Sequence, residues 1–295
     1  MNKNTELLTN QLTVIVVTFN SAHCIPDLFS SLSDIENIIF VDNGSDDNTI
    51  ALIKSNLPHA TVIKNEKNIG FGAANNLALK LVTTPFSFLL NPDCITRKNF
   101  FNEILNAAKF HSEAAIIAPQ IIDAHGNLEI NYRWPIKNWR SKGNEAIGPC
   151  CVGFVCGAAI LLNMKIMNTI GFFDETYFLY YEDEDLCQRA FERKKQIIVI
   201  PNISVIHLSR ASVKGTNPLK SEFIRGFHHA QSKIIFEEKH IGLDQAKKLR
   251  FKTLLLAFLS LPIRLLFPQP RYVARLIGRI FGLCHSYPRP TLPIK

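Results

Sequence analysis

The sequence predicts an α/β fold in which a mostly parallel, Rossmann-like central sheet is flanked by helices and followed by a C-terminal helical extension. Short apolar runs alternate with stretches of helical spacing over the first hundred residues, which is the pattern of parallel strands joined by helices. The chain has 295 residues, of which 47% are hydrophobic and 20% charged, as expected for a globular protein with a substantial core. We expect three parts, at residues 1–105, 106–215 and 216–295.

Four apolar runs predict the strands of the first part. Each run ends in a polar turn and is followed by a segment with helical spacing. The first run is short, rich in β-branched residues and uninterrupted, which is typical of a strand buried on both faces. The four predicted strands are LTVIVVTFN at 12–20, the run from 37 that ends at Asp42, ATVIKNEKN at 60–68 and PFSFLLNPD at 85–93.

The second part is less regular. Strands are expected at 114–123 and, as a closing pair, at 196–208, with an apolar strand and a helix between 150 and 175. The segment YEDEDLCQRAFERK at 181–194 begins with four consecutive acidic residues and continues as an amphipathic helix. Acidic residues are favourable at a helix N-terminus, so part of this run is explained by helix formation alone.

Polar side chains gather where the predicted strands end. Ligands of open α/β sheets bind beyond the carboxyl ends of the strands. The residues at these ends are Thr18, Asn20, Asp42, Asn43 and Asp93, so this edge of the sheet is the expected binding site.

The charge of the chain is unevenly distributed. The formal net charge is +8, and residues 245–295 contain ten Lys and Arg but no Asp or Glu, whereas the other 244 residues contain 23 basic and 25 acidic residues. A near-neutral body with a cationic tail argues against a nucleic-acid-binding protein, whose basic residues line the folded face that contacts the ligand.

The seven cysteines argue against a disulfide-bonded or zinc-binding protein, and the N-terminal segment argues against a secreted one. The cysteine count is odd and no CxxC pair occurs, so reduced thiols are expected rather than disulfides or a zinc site. The N-terminal segment MNKNTELLTNQ has no apolar core, so no secretory signal is predicted.

Six motifs in a fixed order carry a resemblance to a known family. They are VIVVTFN, VDNGSDDNT, NIGFGAANN, LLNPD, GFFDETYFLYYEDEDLCQRA and VIPNISVIH, and they cover residues 12 to 210. In this order they resemble the inverting family 2 glycosyltransferases, in particular the bacterial rhamnosyltransferase-like branch. The resemblance implies a GT-A fold whose donor-binding half is 1–105 and whose acceptor-binding half is 106–215.

The resemblance also implies an activity and its partners. The expected reaction moves a sugar, L-rhamnose from dTDP-rhamnose, to an oligosaccharide or lipid-linked acceptor during synthesis of a bacterial surface polysaccharide such as O-antigen or capsule. A divalent cofactor, Mg²⁺ or Mn²⁺, is expected. Two alternatives stay open: a transferase that uses a UDP-sugar, and a catalytically inactive glycan-binding or scaffold protein that keeps the fold.

The resemblance places the nucleotide-sugar donor against the first strands. Asp42 is expected to accept hydrogen bonds from the base or ribose, with the Thr18–Asn20 turn completing the base pocket. The neighbouring Asn43 belongs to the same predicted donor site, and Gly70 and Asn75 are expected beside the diphosphate. The alternative for Asp42 is a turn aspartate, and the alternative for the glycine is a strand-to-helix turn.

The segment FLLNPDC at 88–94 raises the question of a metal site. Many sugar-transferring enzymes end this strand with two aspartates, whereas here Asn91 replaces the first and only Asp93 remains. A hard cation held by oxygen ligands would neutralise the charge that develops on the departing diphosphate. The resemblance implies Asp93 and His207 as ligands, with Asn91 either contributing an amide oxygen or bracing the turn. The alternative for His207 is a structural histidine at the end of an apolar strand.

The acidic run supplies the expected catalytic base. Inverting transfer needs one carboxylate to take the proton of the acceptor hydroxyl. By its position in the motif Asp183 is assigned this role, Glu182 is the second candidate, and Asp185 is expected to orient the acceptor or the base.

The cationic tail predicts a membrane surface as partner. Only 11 uncharged residues separate Lys252 from Arg264, too few for a spanning helix, which needs about 20. Residues 271–283 place three arginines opposite an apolar face, which is typical of a helix lying on an anionic bilayer. We expect a peripheral protein on the inner, cytoplasmic face of the bacterial cytoplasmic membrane. The alternative is a helix packed on the catalytic domain or on another subunit.

Overall fold

The computed structural model describes residues 10–133, 145–208, 218–266 and 269–285. The chain divides into two compact units. We call them the sheet unit, which comprises Met1–Phe173 and Leu186–Lys214, and the helical unit, which comprises Asp174–Asp185 and Gly215–Lys295.

A ten-stranded sheet forms the centre of the sheet unit. Its main path runs in the order β3-β2-β1-β4-β11-β6-β12-β5, with β7 paired to β6 and β9 paired to β12, while β8 and β10 form a separate pair. The strands are β1 Leu12–Thr18, β2 Asn37–Asp42, β3 Thr61–Lys64, β4 Phe86–Leu90, β5 Cys94–Thr96, β6 Ala114–Ile122, β7 Leu128–Glu129, β8 Tyr132–Arg133, β9 Cys150–Cys151, β10 Phe154–Val155, β11 Ala159–Asn163 and β12 Gln196–His207.

The direction of the strands decides which residues share an edge. Strands β3, β2, β1 and β4 are parallel, and β11 is antiparallel to both β4 and β6. Because β12 is parallel to β6, it points the same way as β1 and β4. The carboxyl ends of β1, β2, β4 and β12 therefore lie at one edge of the sheet.

Helices cover both faces of this sheet. Successive residues of a strand point to opposite faces, and accordingly Val14 and Phe88 join one apolar cluster while Ile15 and Leu89 join the other. The helices of the sheet unit are α1 Ile25–Leu32, after a 3₁₀ turn at Ala22–Cys24, α2 Thr49–Asn56, α3 Phe71–Leu79, α4 Phe100–Phe110 and α5 Met164–Ile170. A further helix, α6 Glu182–Glu192, begins in the helical unit and continues in the sheet unit.

Strand β12, Gln196–His207, is one long strand, although the sequence predicts a strand pair at 196–208. The register of β12 against β6 shifts between Ile200 and Ser204, so the chain bulges instead of turning back. Pro201 lies in this bulge, where its missing N–H costs no ladder hydrogen bond. His207 is thereby carried to the carboxyl edge.

The helical unit is built from three long helices, α7 Pro218–His240, α8 Leu243–Leu266 and α9 Pro270–Cys284. Glycines allow α7 and α9 to approach closely. A Cβ on Gly278 would lie 2.0 Å from the carbonyl oxygen of Phe223, and one on Gly226 would lie 2.1 Å from that of Arg275. The helix predicted to lie on a membrane thus uses one face to pack against α7, burying Leu276.

Two further sequence expectations concern thiols and membrane spans. The seven cysteines, all of which lie in described residues, form no disulfide bond. Among the described helices, none combines the length and the apolar character that crossing a bilayer requires.

Candidate active site

Asp42 lies at the carboxyl edge and is held by the turn that follows its own strand. It pairs in register with Thr18 of β1, whose hydroxyl donates to Asp42 Oδ1 at 3.2 Å. Ser45 donates twice, from its hydroxyl to Oδ1 at 2.5 Å and from its backbone N–H to Oδ2 at 3.0 Å. The Asp42 carboxylate is fully buried, so it fixes the turn that would form the floor of a base pocket.

Asn20 connects the turn after β1 to the turn after β2. Its φ is +52°, a left-handed conformation that asparagine tolerates better than most residues. Its backbone N–H donates to Ser45 Oγ at 2.8 Å, and its side-chain oxygen accepts from the N–H of Asp46 at 2.9 Å. These hydrogen bonds join the two turns, and we call the joined residues 18–20 and 42–46 the ledge. Ser45 joins them and was not singled out from the sequence.

Asn43 joins this ledge to the loop before α3. Its amide donates to Asn68 Oδ1 at 2.9 Å and to the Gly70 carbonyl at 3.1 Å, and its oxygen accepts from Ile69 N and Asn65 Nδ2. These contacts use the donors and acceptors of the carboxamide. Gly70 has a φ of +95°, which a side chain would strain. Asn43 and Gly70, which were both predicted from the sequence, therefore belong to one hydrogen-bond network that fixes the loop before α3.

Asn75 is 1% exposed and lies within α3. Its side-chain amide donates to the Phe71 carbonyl at 3.0 Å, so it braces the first turn of that helix. The next residue, Asn76, exchanges two hydrogen bonds with the backbone of Phe173, at 2.9 and 3.0 Å. Asn76 was missed from the sequence, where two adjacent asparagines in an apolar helix were the available signal.

Asp93 and His207 meet at the other end of the same edge. Strand β5 pairs antiparallel with the end of β12 so that His207 lies opposite Cys94, and Leu208 N donates to the Asp93 carbonyl at 2.9 Å. Asp93 Oδ1 and His207 Nε2 are 3.5 Å apart. The Asp93 side chain is buried, whereas the imidazole is 16% exposed. The structure thus joins two residues that are 114 positions apart in the chain.

Asn91 holds the turn that presents Asp93. Its N–H donates to the Ala158 carbonyl at 2.8 Å, and its own carbonyl accepts from Cys94 N at 3.0 Å. These backbone contacts fix the turn independently of the Asn91 side chain. The side chain of Asn91 is half-buried.

Three potential ligand atoms of Asp93, Cys94 and His207 lie within 4.8 Å of one another. The Cys94 thiol is directed to the Ala158 carbonyl at 3.6 Å, and burial, with a smaller contribution from Asp93, raises the pKa of this thiol well above its usual range. Carboxylate oxygen and imidazole nitrogen suit Mn²⁺ or Mg²⁺ better than a sulfur does. Two ligands about 2.1 Å from one ion lie roughly 3.0–3.4 Å apart, so the Asp93 and His207 side chains, at 3.5 Å, would need to approach only slightly to hold such an ion.

In the helical unit, the four carboxylates that start α6 have different surroundings. Glu182 is 6% exposed, and burial followed by the Asp183 charge raises the pKa of its carboxyl well above the usual range. Asp183 is half-buried and accepts from the Glu184 N–H at 2.9 Å. Asp185 is fully buried.

Asp185 is engaged by two basic side chains of α7. Its Oδ1 lies 2.8 Å from His240 Nε2 and 2.7 Å from Lys239 Nζ. Lys239 also contacts Asp174 at 2.6 Å. Burial opposes ionisation of Asp174, but hydrogen bonds from Lys239 and Thr176 outweigh it and lower the pKa of the carboxyl. The predicted orienting role of Asp185 therefore coexists with a structural ion pair.

The turn before α6 is strained. Tyr180 and Tyr181 both have a φ of +68°, which is rare for aromatic residues and costs free energy that the surroundings must offset. Their rings pack edge-on against His229 of α7, with centroids 5.5 Å apart. This packing fixes the direction in which α6 leaves the turn, and with it the direction of Asp183.

A comparison with protein families finds one match. The model described as "Glycosyl transferase family 2" matches residues 13–171, which is more than half of the chain.

Curated relatives come from two organisms. An N-acetylglucosaminyl-diphospho-decaprenol L-rhamnosyltransferase of Mycobacterium tuberculosis is 24% identical over 270 residues, 80% of this chain and 87% of the relative. The low-salt glycan biosynthesis hexosyltransferase Agl10 of Haloferax volcanii is 22% identical over 215 residues, 68% of each chain.

Solved structures share the fold. The mannosyltransferase PcManGT of Pyrobaculum calidifontis, in complex with GDP-Man and Mn²⁺, matches with a TM-score of 0.53 and 13% identity over 92% of this chain and 85% of its own. GalNAc-T7 with UDP, GalNAc and Mn²⁺ matches with a TM-score of 0.54 and 14% identity over 75% of this chain, which spans about half of it, 47%. The predicted GT-A fold is confirmed.

Proposed function

This chain belongs to glycosyl transferase family 2, as the motifs predicted, and we propose that it transfers a sugar with inversion from a nucleotide-sugar donor to a lipid-linked glycan acceptor. The observation that carries the proposal is the pairing of Asp93 with His207, 3.5 Å apart, at the carboxyl edge of the sheet. The same edge presents the ledge formed by Thr18, Asn20 and Asp42. An enzyme of this type needs both a nucleotide-binding surface and a means of neutralising a diphosphate.

The proposed donor is dTDP-L-rhamnose. The Mycobacterium tuberculosis relative is named for L-rhamnosyl transfer to N-acetylglucosaminyl-diphospho-decaprenol, which supports both a rhamnose donor and an acceptor joined to a polyprenyl chain through a diphosphate. A UDP-sugar is the second candidate, since GalNAc-T7 was solved with UDP. The product would belong to a bacterial surface polysaccharide.

Asp93 and His207 would hold a divalent cation, Mg²⁺ or Mn²⁺. Both solved neighbours were determined with Mn²⁺. When bound, such a cation offsets the negative charge that grows on the leaving diphosphate. Asn91 fixes the turn through its backbone, so an asparagine at this position is compatible with activity. It leaves one formal charge fewer, and we expect the ion to bind tightly only together with the nucleotide.

Asp183 is the proposed base. In a single displacement the acceptor oxygen forms a bond to the anomeric carbon, the bond from that carbon to the diphosphate breaks, and the acceptor proton passes to a carboxylate. A base needs access to the acceptor. Asp183 is half-buried, whereas Glu182 is buried and Asp185 is closed in by Lys239 and His240.

A donor screen tests the function. Purified protein is incubated with an N-acetylglucosaminyl-diphospho-polyprenol acceptor and a panel of nucleotide sugars, and release of nucleoside diphosphate is followed. We expect the fastest release from dTDP-L-rhamnose, only in the presence of acceptor and divalent cation. Release from a UDP-sugar alone would support the second donor, and no release from any donor would support the inactive glycan-binding alternative.

A further inference from the structure

Helix α8 contains an apolar segment bounded by cations. Between Lys252 and Arg264 the sequence TLLLAFLSLPI has no charged residue. Three lysines, Lys247, Lys248 and Lys252, are exposed before this segment, and Arg264 and Arg271 are exposed after it. The last acidic residue of the chain is Asp244.

Among the residues that the structure describes, those that contact this apolar segment cover one side of it. Ala257 is buried, and Leu249 and Leu254 pack on a small cluster formed with α7 and α9. The other side, continued past Arg264 to the end of α8, carries large apolar side chains that are between 48% and 76% exposed, namely Leu255, Leu256, Phe258, Leu259, Ile263, Leu265 and Leu266. Soluble monomers rarely expose a contiguous apolar surface of more than a few hundred Å². We call these seven residues the apolar patch.

The charges around the patch favour one type of partner. Burial lowers the pKa of the Arg279 guanidinium, and repulsion from the neighbouring Arg275 and Arg264 lowers it further. The three arginines therefore lie close together. Glu222 lies near one member of the group, 3.8 Å from Arg275. An apolar surface between cationic ends is complementary to a bilayer with anionic headgroups, in which the acyl region takes up the apolar side chains and lipid phosphates neutralise the cations.

We propose that the apolar patch of α8 inserts into the headgroup region of an anionic bilayer, with the lysines before it and the arginines after it on lipid phosphates. The helix then lies parallel to the membrane plane, consistent with an uncharged stretch of 11 residues between Lys252 and Arg264, well short of the about 20 needed to span. This proposal names a different element from the one expected from the sequence: α9 is the more amphipathic helix, but it packs one face against α7.

The proposed membrane contact does not depend on the proposed reaction. An enzyme with a soluble acceptor would still bind vesicles, and a failed vesicle test would leave the donor screen unaffected. A second copy of this chain is the other surface that an apolar patch fits, and the experiment separates the two.

Vesicle flotation with matched variants tests the proposal. The patch variant L255E/L259E/I263E replaces three exposed apolar residues of α8, and the control L81E/F110E/F191E replaces three residues of the sheet unit with similar exposure. Each protein is floated with vesicles of phosphatidylcholine alone and with vesicles in which roughly half of the lipid is phosphatidylglycerol. Circular dichroism and sedimentation velocity report folding and oligomeric state.

We expect the wild type and the control to float with the anionic vesicles and the patch variant to do so at least about tenfold less. A second variant, K252Q/R264Q/R271Q, keeps the patch and removes three cations. It should lose the preference for anionic over neutral vesicles, and it decides the question if the patch variant does not fold.

Three results would overturn the proposal. Two of them are a wild-type protein that does not float with anionic vesicles and a patch variant that floats as well as the wild type. The other is a wild-type dimer in solution that becomes a monomer in the patch variant while neither protein binds vesicles, which would make the patch an interface between copies of this chain.

Discussion

The two units of this molecule both bury carboxylates, but they differ in how their apolar side chains are covered. In the sheet unit, both faces of the sheet are buried under apolar side chains, and Asp42 and Asp93 lie where the strands end. In the helical unit, Asp185 and Glu182 are buried, while α8 exposes a row of leucines and phenylalanines. Buried carboxylates and exposed apolar patches are both unusual in folded proteins. Such departures are expected at sites of chemistry or of binding.

The largest expected effect separates chemistry from folding at the start of α6. Asp183→Asn keeps the shape of the side chain but removes its ability to take a proton. General-base catalysis contributes about 10²–10⁴-fold, so single-turnover transfer should fall by this factor while the thermal midpoint and the donor affinity stay near the wild type.

Glu184→Gln is the control for this variant, because Glu184 is its half-buried neighbour in the same turn. It should transfer sugar at close to the wild-type rate. Full activity of Asp183→Asn together with an inactive Glu182→Gln would place the base one residue earlier.

Asp185 should show the reverse behaviour. Removing one partner of a buried ion pair costs about 3–5 kcal/mol, and Asp185→Ala leaves Lys239 and His240 without their shared carboxylate. We expect urea unfolding to give a loss of about 3 kcal/mol, since Lys239 retains Asp174. An unchanged unfolding free energy with lost activity would mean that Asp185 serves the acceptor rather than the fold.

His229 should make the helical unit sensitive to acid. Burial, followed by the charges of Arg279, Arg275 and Lys233, lowers its pKa to about 4. The unfolded chain therefore binds more protons than the folded chain between pH 6.5 and about 4, and stability falls as the pH falls through this window. The loss is about 1–2 kcal/mol after allowing for partial exposure. Between pH 4 and 7, the thermal midpoint of His229→Gln should change less with pH than that of the wild type. The control His125→Gln, at an exposed turn, should show the same pH dependence as the wild type.

The smallest expected effect concerns Glu182. Its raised pKa means that the folded state favours the protonated form, so its contribution to stability is greatest below the usual carboxyl pKa and is lost as the pH rises through the raised value. Glu182→Gln mimics the protonated form. It should raise the thermal midpoint at pH 8 more than at pH 5, and it should reduce transfer less than Asp183→Asn does. Equal midpoints at both pH values would contradict the buried position of this carboxyl.

Strand and helix periodicity was sufficient to predict the first four strands of the sheet unit. The apolar runs that end at Thr18, Asp42 and Leu90 became parallel strands, and the ordered motifs predicted the family and the GT-A fold, both confirmed. The pairing of Asp93 with His207 was also foreseen, although β5, which aligns the two, was not predicted as a strand. Three residues are too few to give a periodic signal.

The side-chain hydrogen bonds that fix the loops were not predictable from the sequence. Ser45 and Asn68 hold Asp42 and Asn43, but single polar residues in loops have no periodicity that assigns partners. The tail shows the same limit. The amphipathic pattern at 271–283 indicated an apolar face, yet whether such a face meets lipid or α7 depends on the approach that Gly226 and Gly278 allow.

The most direct test of the account is the metal dependence of nucleotide binding at Asp93. Calorimetry would measure the affinity for the nucleoside diphosphate of the preferred donor, with Mg²⁺ or Mn²⁺ and with EDTA, for the wild type, Asp93→Ala and His207→Ala. We expect the cation to tighten binding at least about tenfold in the wild type, most of this gain to disappear in Asp93→Ala, and part of it to disappear in His207→Ala. Equal affinity with and without cation in the wild type would contradict the proposal that Asp93 and His207 hold an ion against the diphosphate.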